Sequence, residues 1–143
     1  MITSIKKADP NPSNLQLPIF SSFIRAGFPS PADDYIEEAI DLNKYLVTNP
    51  SATFMIRVEG DSMIGAGIFS NDVLVVDKSK DPKNGDVIVA VLNGEFTIKR
   101  FIKENGVYYL KPENPDYQDI VLNNHSGFQI WGVVTYVLHN PNK

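Results

Sequence analysis

The sequence predicts a mostly β protein of twisted antiparallel sheets, with one short helix and an extended N-terminal arm. Three observations carry that expectation. Residues 73–77 (VLVVD) and 87–92 (VIVAVL) are continuous apolar runs bounded by turn residues, the pattern of strands buried on both faces. Asn93-Gly94 stands between 87–92 and 95–102, a type I′ hairpin signal, because both turn positions need positive φ. Three more strand-like segments follow at 107–110, 118–122 and 128–138, separated by Pro112-Glu113-Asn114-Pro115 and by residues 123–127.

Taken in order, residues 1–25 read as an arm. Pro10, Pro12 and Pro18 fall among several Asn and Ser, and no helical apolar face is present, so extended or partly disordered backbone is expected. Leu15, Leu17 and Ile19 alternate, however, and Phe20, Phe23 and Ile24 follow, enough apolar side chains for an extended segment to dock on a sheet or groove. Ser30-Pro31 followed by Asp33 and Asp34 has the order of a helix start, while Tyr35-Ile36 and Ala39-Ile40 suit a strand equally well. The preferred helix is a short one at 41–47, capped by Asp41. Asn49-Pro50-Ser51 then interrupts the chain before an apolar strand, Phe54 to Val58, which runs into Gly60-Asp61-Ser62.

Composition removes several kinds of function. At 143 residues with 43% hydrophobic and 21% charged residues, the chain suits one ordinary domain with a real core. There is no cysteine, which excludes disulfides, thiolate catalysis and zinc-thiolate sites, and two histidines make no metal site by themselves, so neither metal nor cofactor is expected. No apolar run approaches the roughly 20 residues of a membrane span, and the N-terminus lacks a signal-peptide order, so the expected place is the cytoplasm. A net charge of −4 argues against a large non-specific duplex-binding surface. The loop 64–68 is glycine-rich but lacks the lysine and spacing of a phosphate-binding loop. Tyr108, Tyr109, Phe128, Trp131 and Tyr136 are read as sheet packing, since basic residues do not interleave them.

What remains is a serine and a lysine. Ser62 falls just past a strand end, where a hydroxyl can face a cleft, and neither His125 nor His139 has a recognisable triad context. Lys99 falls mid-strand after the Asn93-Gly94 turn, on the face shared by Glu95, Thr97 and Phe101. A lysine in a dry cleft loses part of its preference for charge, and a neutral amine can deprotonate a serine.

The ordered set of Gly60-Asp61-Ser62-Met63, then 71–77 (NDVLVVD), then Gly85-Asp86, then Gly94-Glu95 ending in Lys99-Arg100, resembles the self-cleaving serine peptidase domain of LexA-type repressors and UmuD-type polymerase accessory proteins. The resemblance implies the LexA/UmuD C-terminal peptidase-like fold, with Ser62 as nucleophile and Lys99 as general base. It also places a self-cleavage site between Ala26 and Gly27, a small residue followed by glycine ahead of Pro29 and Pro31. The expected organisation is then an arm, 1–26, removed by cleavage, and a β-rich peptidase-like and dimerisation domain, 27–143. Twenty-six residues with three prolines do not supply a helix-turn-helix, which points to the UmuD-type branch. That branch implies a homodimer that joins a UmuC-type Y-family subunit of an error-prone translesion polymerase in the SOS response, with cleavage stimulated by a RecA-ssDNA filament and no sequence-specific DNA contact. The competing readings are a non-catalytic β adaptor and a LexA-related peptidase acting on another protein.

Overall fold

In a computed structural model that describes residues 2–9, 16–20, 36–122 and 127–142, the described residues form ten strands, one short α-helix and two single 3-10 turns, Pro50–Ala52 and Ile64–Ala66. The strands are β1 (Ile2–Lys7), β2 (Gln16–Phe20), β3 (Ile36–Asp41), β4 (Thr53–Val58), β5 (Val73–Asp77), β6 (Val87–Leu92), β7 (Glu95–Glu104), β8 (Val107–Lys111), β9 (Ile120–Val121) and β10 (Phe128–Leu138). Eight of them form one antiparallel sheet in the order β1-β4-β5-β10-β6-β7-β8-β9, and β2 and β3 pair separately. The mostly β expectation therefore holds.

The long β10 sits between β5 and β6, and its register slips once against each, between Val134 and Tyr136 and between Ile130 and Gly132. Such bulges sharpen twist, which lets one sheet bend enough to bury both of its faces. Gly132 marks the tightest approach: a Cβ there would lie 2.6 Å from Val76 Cγ1. Two apolar clusters result. Ile56, Val58, Met63, Ile68, Leu74, Val76, Val89 and Ile98 form the first, and Ile88, Ala90, Phe101, Leu110, Leu122 and Val133 the second. Successive residues Ile88, Val89 and Ala90 enter alternate clusters, which is why β6 reads as a continuous apolar run and not as an alternating one.

Turns follow their residue chemistry. Asn93 (φ 52) and Gly94 (φ 82) link β6 to β7, and Asn105 (φ 51) and Gly106 (φ 77) link β7 to β8 by the same dipeptide. The helix α1 (Leu42–Leu46) is where it was expected, with the Asp41 carboxylate accepting from the Asn43 backbone N–H at 3.0 Å. The segment 36–41, which admits helix or strand by sequence, is strand β3. Leu17 and Ile19 fall in β2, paired with β3, so this part of the arm docks on another strand. Strand β1 was not anticipated; it adds to the edge of β4 from Ile2↔Val58 to Lys7↔Phe54. The strand expected at 118–122 is shorter, spanning Ile120–Val121. The helix start considered at 30–34 and the dipeptide Ala26-Gly27 lie outside the described residues.

The aromatic residues pack on the sheet. Trp131 meets Phe54 and Phe96 edge-on at centroid distances of 5.0 and 5.7 Å, with Lys78 Nζ 4.7 Å from its own ring centroid. Tyr108 stacks on Phe101, and Tyr136 meets Tyr45.

Candidate active site

Strand β4 carries the chain to Gly60, whose φ of 109 permits the turn that releases the loop 59–71 from the sheet. The loop is closed at its base by two backbone bonds between the strand end and its exit, Val58 N–H to Asp72 O (3.0 Å) and Asn71 N–H to Val58 O (2.8 Å). Met63 and Ile68 pin it from within, each under 5% exposed in the first cluster, and the Ile68 N–H bonds the Met63 carbonyl at 3.2 Å. Ser62 is thus the residue between an exposed Asp61 and a buried Met63, part-exposed beside the core.

Lys99 arrives from the other direction on β7, opposite Ile88 of β6. Its ammonium donates to Thr97 Oγ1 at 2.9 Å and to the Ile98 carbonyl at 3.0 Å, so Thr97 and Lys99 share a face, as alternation requires. Burial lowers its pKa from the ordinary lysine value, because desolvation penalises the cation and, among the described residues, no carboxylate pairs with it.

Ser62 and Lys99 line one cleft, together with Val58, Gly60, Met63 and residues 96–98. Ile2, at the start of β1, lines it as well. Beside this cleft the sheet has an opening. Strand β7 pairs with β6 from Glu95↔Leu92 to Arg100↔Val87, but its ladder with β8 begins only at Arg100↔Lys111. Residues 95–99 therefore pair on one side only among the described residues, and an unpaired edge is where an extended peptide can add as a strand. Ser62, Lys99 and a strand edge unpaired among the described residues thus border the same space.

The other sequence candidates lie elsewhere. The His139 Nδ1 meets the buried Asp72 carboxylate at 2.6 Å and its ring packs against Phe69, tying the end of β10 to the loop exit; it does not line the cleft. His125 lies outside the described residues. Among the described residues no group of three or more His, Asp or Glu could hold a metal, and no helix is long and apolar enough to cross a membrane.

By sequence 112–115 reads only as a strand break, yet the segment 113–117 holds the serine loop from behind. The Asn114 amide donates to the Asp61 carbonyl at 2.8 Å, the Tyr117 hydroxyl to the Asp61 carboxylate at 2.6 Å, and the Gly65 N–H bonds the Glu113 carbonyl at 2.8 Å. Arg100, the neighbour of Lys99, bonds Glu113 Oε1 through Nε and the Gly85 carbonyl through a terminal nitrogen, both at 2.6 Å. The available signal was Asn114, a polar residue flanked by two prolines in a stiff loop, but its partner lies 53 positions away.

Comparison with known proteins identifies the family. The peptidase S24-like family model matches residues 18–135. The chain is similar to protein ImpA of Salmonella typhimurium, 39% identical over 136 residues that cover 94% of this chain and 92% of that protein. Protein SamA of Salmonella typhimurium strain LT2 is 45% identical over 122 residues, covering 85% and 84%. The LexA repressor of Clostridioides difficile is 42% identical over 128 residues, covering 89% of this chain but 59% of the repressor. The chain belongs to the peptidase S24-like family, the self-cleaving serine peptidases, and is a UmuD-type member of it.

Proposed function

We propose that this protein cuts its own chain between Ala26 and Gly27, with Ser62 as nucleophile and Lys99 as general base, and that the shortened 27–143 form serves SOS mutagenesis. The observation that carries the reading is a single cleft lined by a serine and by a lysine without a carboxylate partner among the described residues, 37 positions apart in sequence. Neutral Lys99 takes the proton from Ser62 Oγ as that oxygen bonds the Ala26 carbonyl carbon. The C–N bond to Gly27 then breaks, and Lys99 returns the proton to the leaving amine. Water hydrolyses the Ala26 ester on Ser62, freeing the serine and ending the 1–26 fragment in a carboxylate.

The open edge at 95–99 suits this role. Peptide added there as a strand is held by backbone bonds, so its side chains are restricted by pockets and not by charge, and Ala26 with Gly27 demands little space. Under the same reading the protein acts as a homodimer, a RecA-ssDNA filament favours the arm-in-cleft arrangement, and the cut form joins a UmuC-type Y-family subunit of an error-prone translesion polymerase. Membership of the UmuD-type branch supports this.

Intact mass measurement with and without a RecA-ssDNA filament tests it. The expected result is loss of residues 1–26 and a product beginning Gly27-Phe28-Pro29, with no cut in Ser62→Ala or Lys99→Ala. A mass that never changes favours a non-catalytic adaptor, and a different new terminus removes Ala26-Gly27 from the reading.

A further inference from the structure

We infer that Asn114 is a positioning residue for the reaction: by holding the Asp61 carbonyl from behind, it aims Ser62 into the cleft and fixes its distance from Lys99. This rests on the catalytic reading of Ser62 and Lys99 proposed above.

The geometry begins with the peptide plane. In a trans peptide the carbonyl of one residue and the N–H of the next point in opposite directions. Asn114 draws the Asp61 carbonyl toward the 112–117 loop, so the Ser62 N–H is directed away from that loop. No residue of 112–117 lines the cleft, so the cleft and the brace lie on different sides of the serine loop. The Ser62 N–H makes no hydrogen bond among the described residues, and the bond beside it at Asp61 is long, 3.4 Å from the Ile64 N–H. Asn114 is therefore the short contact that sets this peptide plane. It is itself 6% exposed, and its Oδ1 accepts from the Asp116 N–H at 3.0 Å, which fixes the amide with its nitrogen toward Asp61.

The brace is also tied to the base. The Glu113 carbonyl takes the Gly65 N–H, while the Glu113 carboxylate takes Arg100, the residue after Lys99 on β7. Serine loop, brace and lysine strand are thus joined by consecutive short bonds, with Pro112 and Pro115 stiffening the connection. A proton transfer between two side chains on separate elements depends on such spacing, and a misplacement of about 1 Å can cost about 100-fold in rate.

The test is single-turnover self-cleavage of the full chain across pH. In Asn114→Asp the Oδ1 acceptor and the shape remain while the donor to Asp61 is lost; Asn114→Ala removes both. The expected result is a plateau rate at alkaline pH lowered by about 100-fold in each, with the pH midpoint of Asn114→Ala unchanged because Lys99 keeps its surroundings. Tyr117→Phe, an exposed site that does not threaten folding, should lower the plateau by about threefold, the size of one solvent-accessible hydrogen bond. A folded Asn114→Asp cutting at the wild-type rate overturns the inference. So does an Asn114→Ala midpoint that moves while the plateau is kept, since the residue would then act through Lys99. Should the Asn114 variants not fold, an unchanged plateau in Tyr117→Phe overturns it. Amide exchange at Gly65 is the independent readout, expected to quicken about tenfold when the brace is loosened in any of the three variants; exchange as in the wild type overturns the inference. A wild-type chain that never cuts, or a Ser62→Ala chain that does, defeats the catalytic reading instead, and the Gly65 exchange then decides the brace alone.

Discussion

A lysine without a carboxylate partner among the described residues, in a partly dry cleft, costs folding stability at neutral pH and, under the proposed mechanism, makes cleavage pH-dependent, and both effects follow from one shift. Desolvation lowers the Lys99 pKa in the folded protein, so between that value and the ordinary lysine value the unfolded chain binds more protons than the folded one. Stability attributable to Lys99 therefore rises with pH through this window, is complete above the ordinary value of about 10.4 and is lost as pH falls through the folded-state value. Lys99→Met keeps the length of the side chain without the charge. Its melting temperature is expected to exceed that of the wild type at pH 7, with the gap closing toward pH 10.5; a gap that widens with pH has the wrong sign. Under the proposed mechanism self-cleavage moves with the same proton. The rate should climb from pH 7 as Lys99 loses its proton and then level off, and Lys99→Arg should stay uncut because guanidinium remains protonated. A rate that is flat or falling over this range in the folded protein removes Lys99 as the base. The positions of Ser62, just past a strand end, and Lys99, mid-strand, were legible in sequence because a turn after a strand and a hairpin count place them without tertiary knowledge. Asn114 was not, because its meaning lies in a hydrogen bond to a residue 53 positions away.

At the scale of elements, legibility followed how locally each element is determined. The helix α1 needs only its Asp41 cap, and the β6–β7 hairpin needs only Asn93-Gly94, so both were predictable. The second Asn-Gly, at 105–106, carried the same signal for β7–β8. Strand β1 was invisible because the two isoleucines of ITSIKK are three positions apart and break period-two alternation, and it becomes a strand by pairing with β4. The serine loop shows how strongly an element depends on its partner. A Cβ on Gly65 would lie 2.7 Å from the Glu113 carbonyl oxygen, a backbone atom that cannot swing aside. Gly65→Ala should therefore push the loop off 112–117 and weaken the bond from the Gly65 N–H, lowering stability by about 1–3 kcal/mol and cleavage with it. Urea unfolding beside the cleavage assay checks this, and wild-type values in both would show that the two loops separate freely. Leu74→Ala, in a fully buried β5 position, should cost about 2–5 kcal/mol by the same measurement while leaving Gly65 exchange in the folded state unchanged.

For the whole molecule, the informative feature is that the arm is woven into the fold at two places, both ahead of the segment proposed to be cut. Residues 2–7 extend the main sheet at β4, and 16–20 pair with β3, which follows the proposed cut. An isolated two-stranded ribbon is marginal in water, so once the chain is broken β2–β3 loses the connection that keeps its strands together. Strand β1 has a larger sheet to hold it, and Ile2 packs against the first cluster while lining the Ser62 cleft. Departure of the arm would then do two things at once: remove one wall of the cleft and leave β4 as an edge with unpaired backbone groups. Hydrogen exchange on the full chain and on a 27–143 fragment distinguishes this from an arm that merely hangs from the domain. Alternate β4 amides between Thr53 and Val58, those directed at β1, should exchange at least about tenfold faster in the fragment, while the amides directed at β5 keep their protection because that ladder is unchanged. Uniform protection in both forms would mean that β1 does not pair in solution. Uniform loss would mean that the arm supports the whole sheet, and the fragment should then also unfold at markedly lower urea. Only the alternating pattern makes β4 an edge that the arm covers and cleavage opens, able to take a strand from a partner in the place β1 has left.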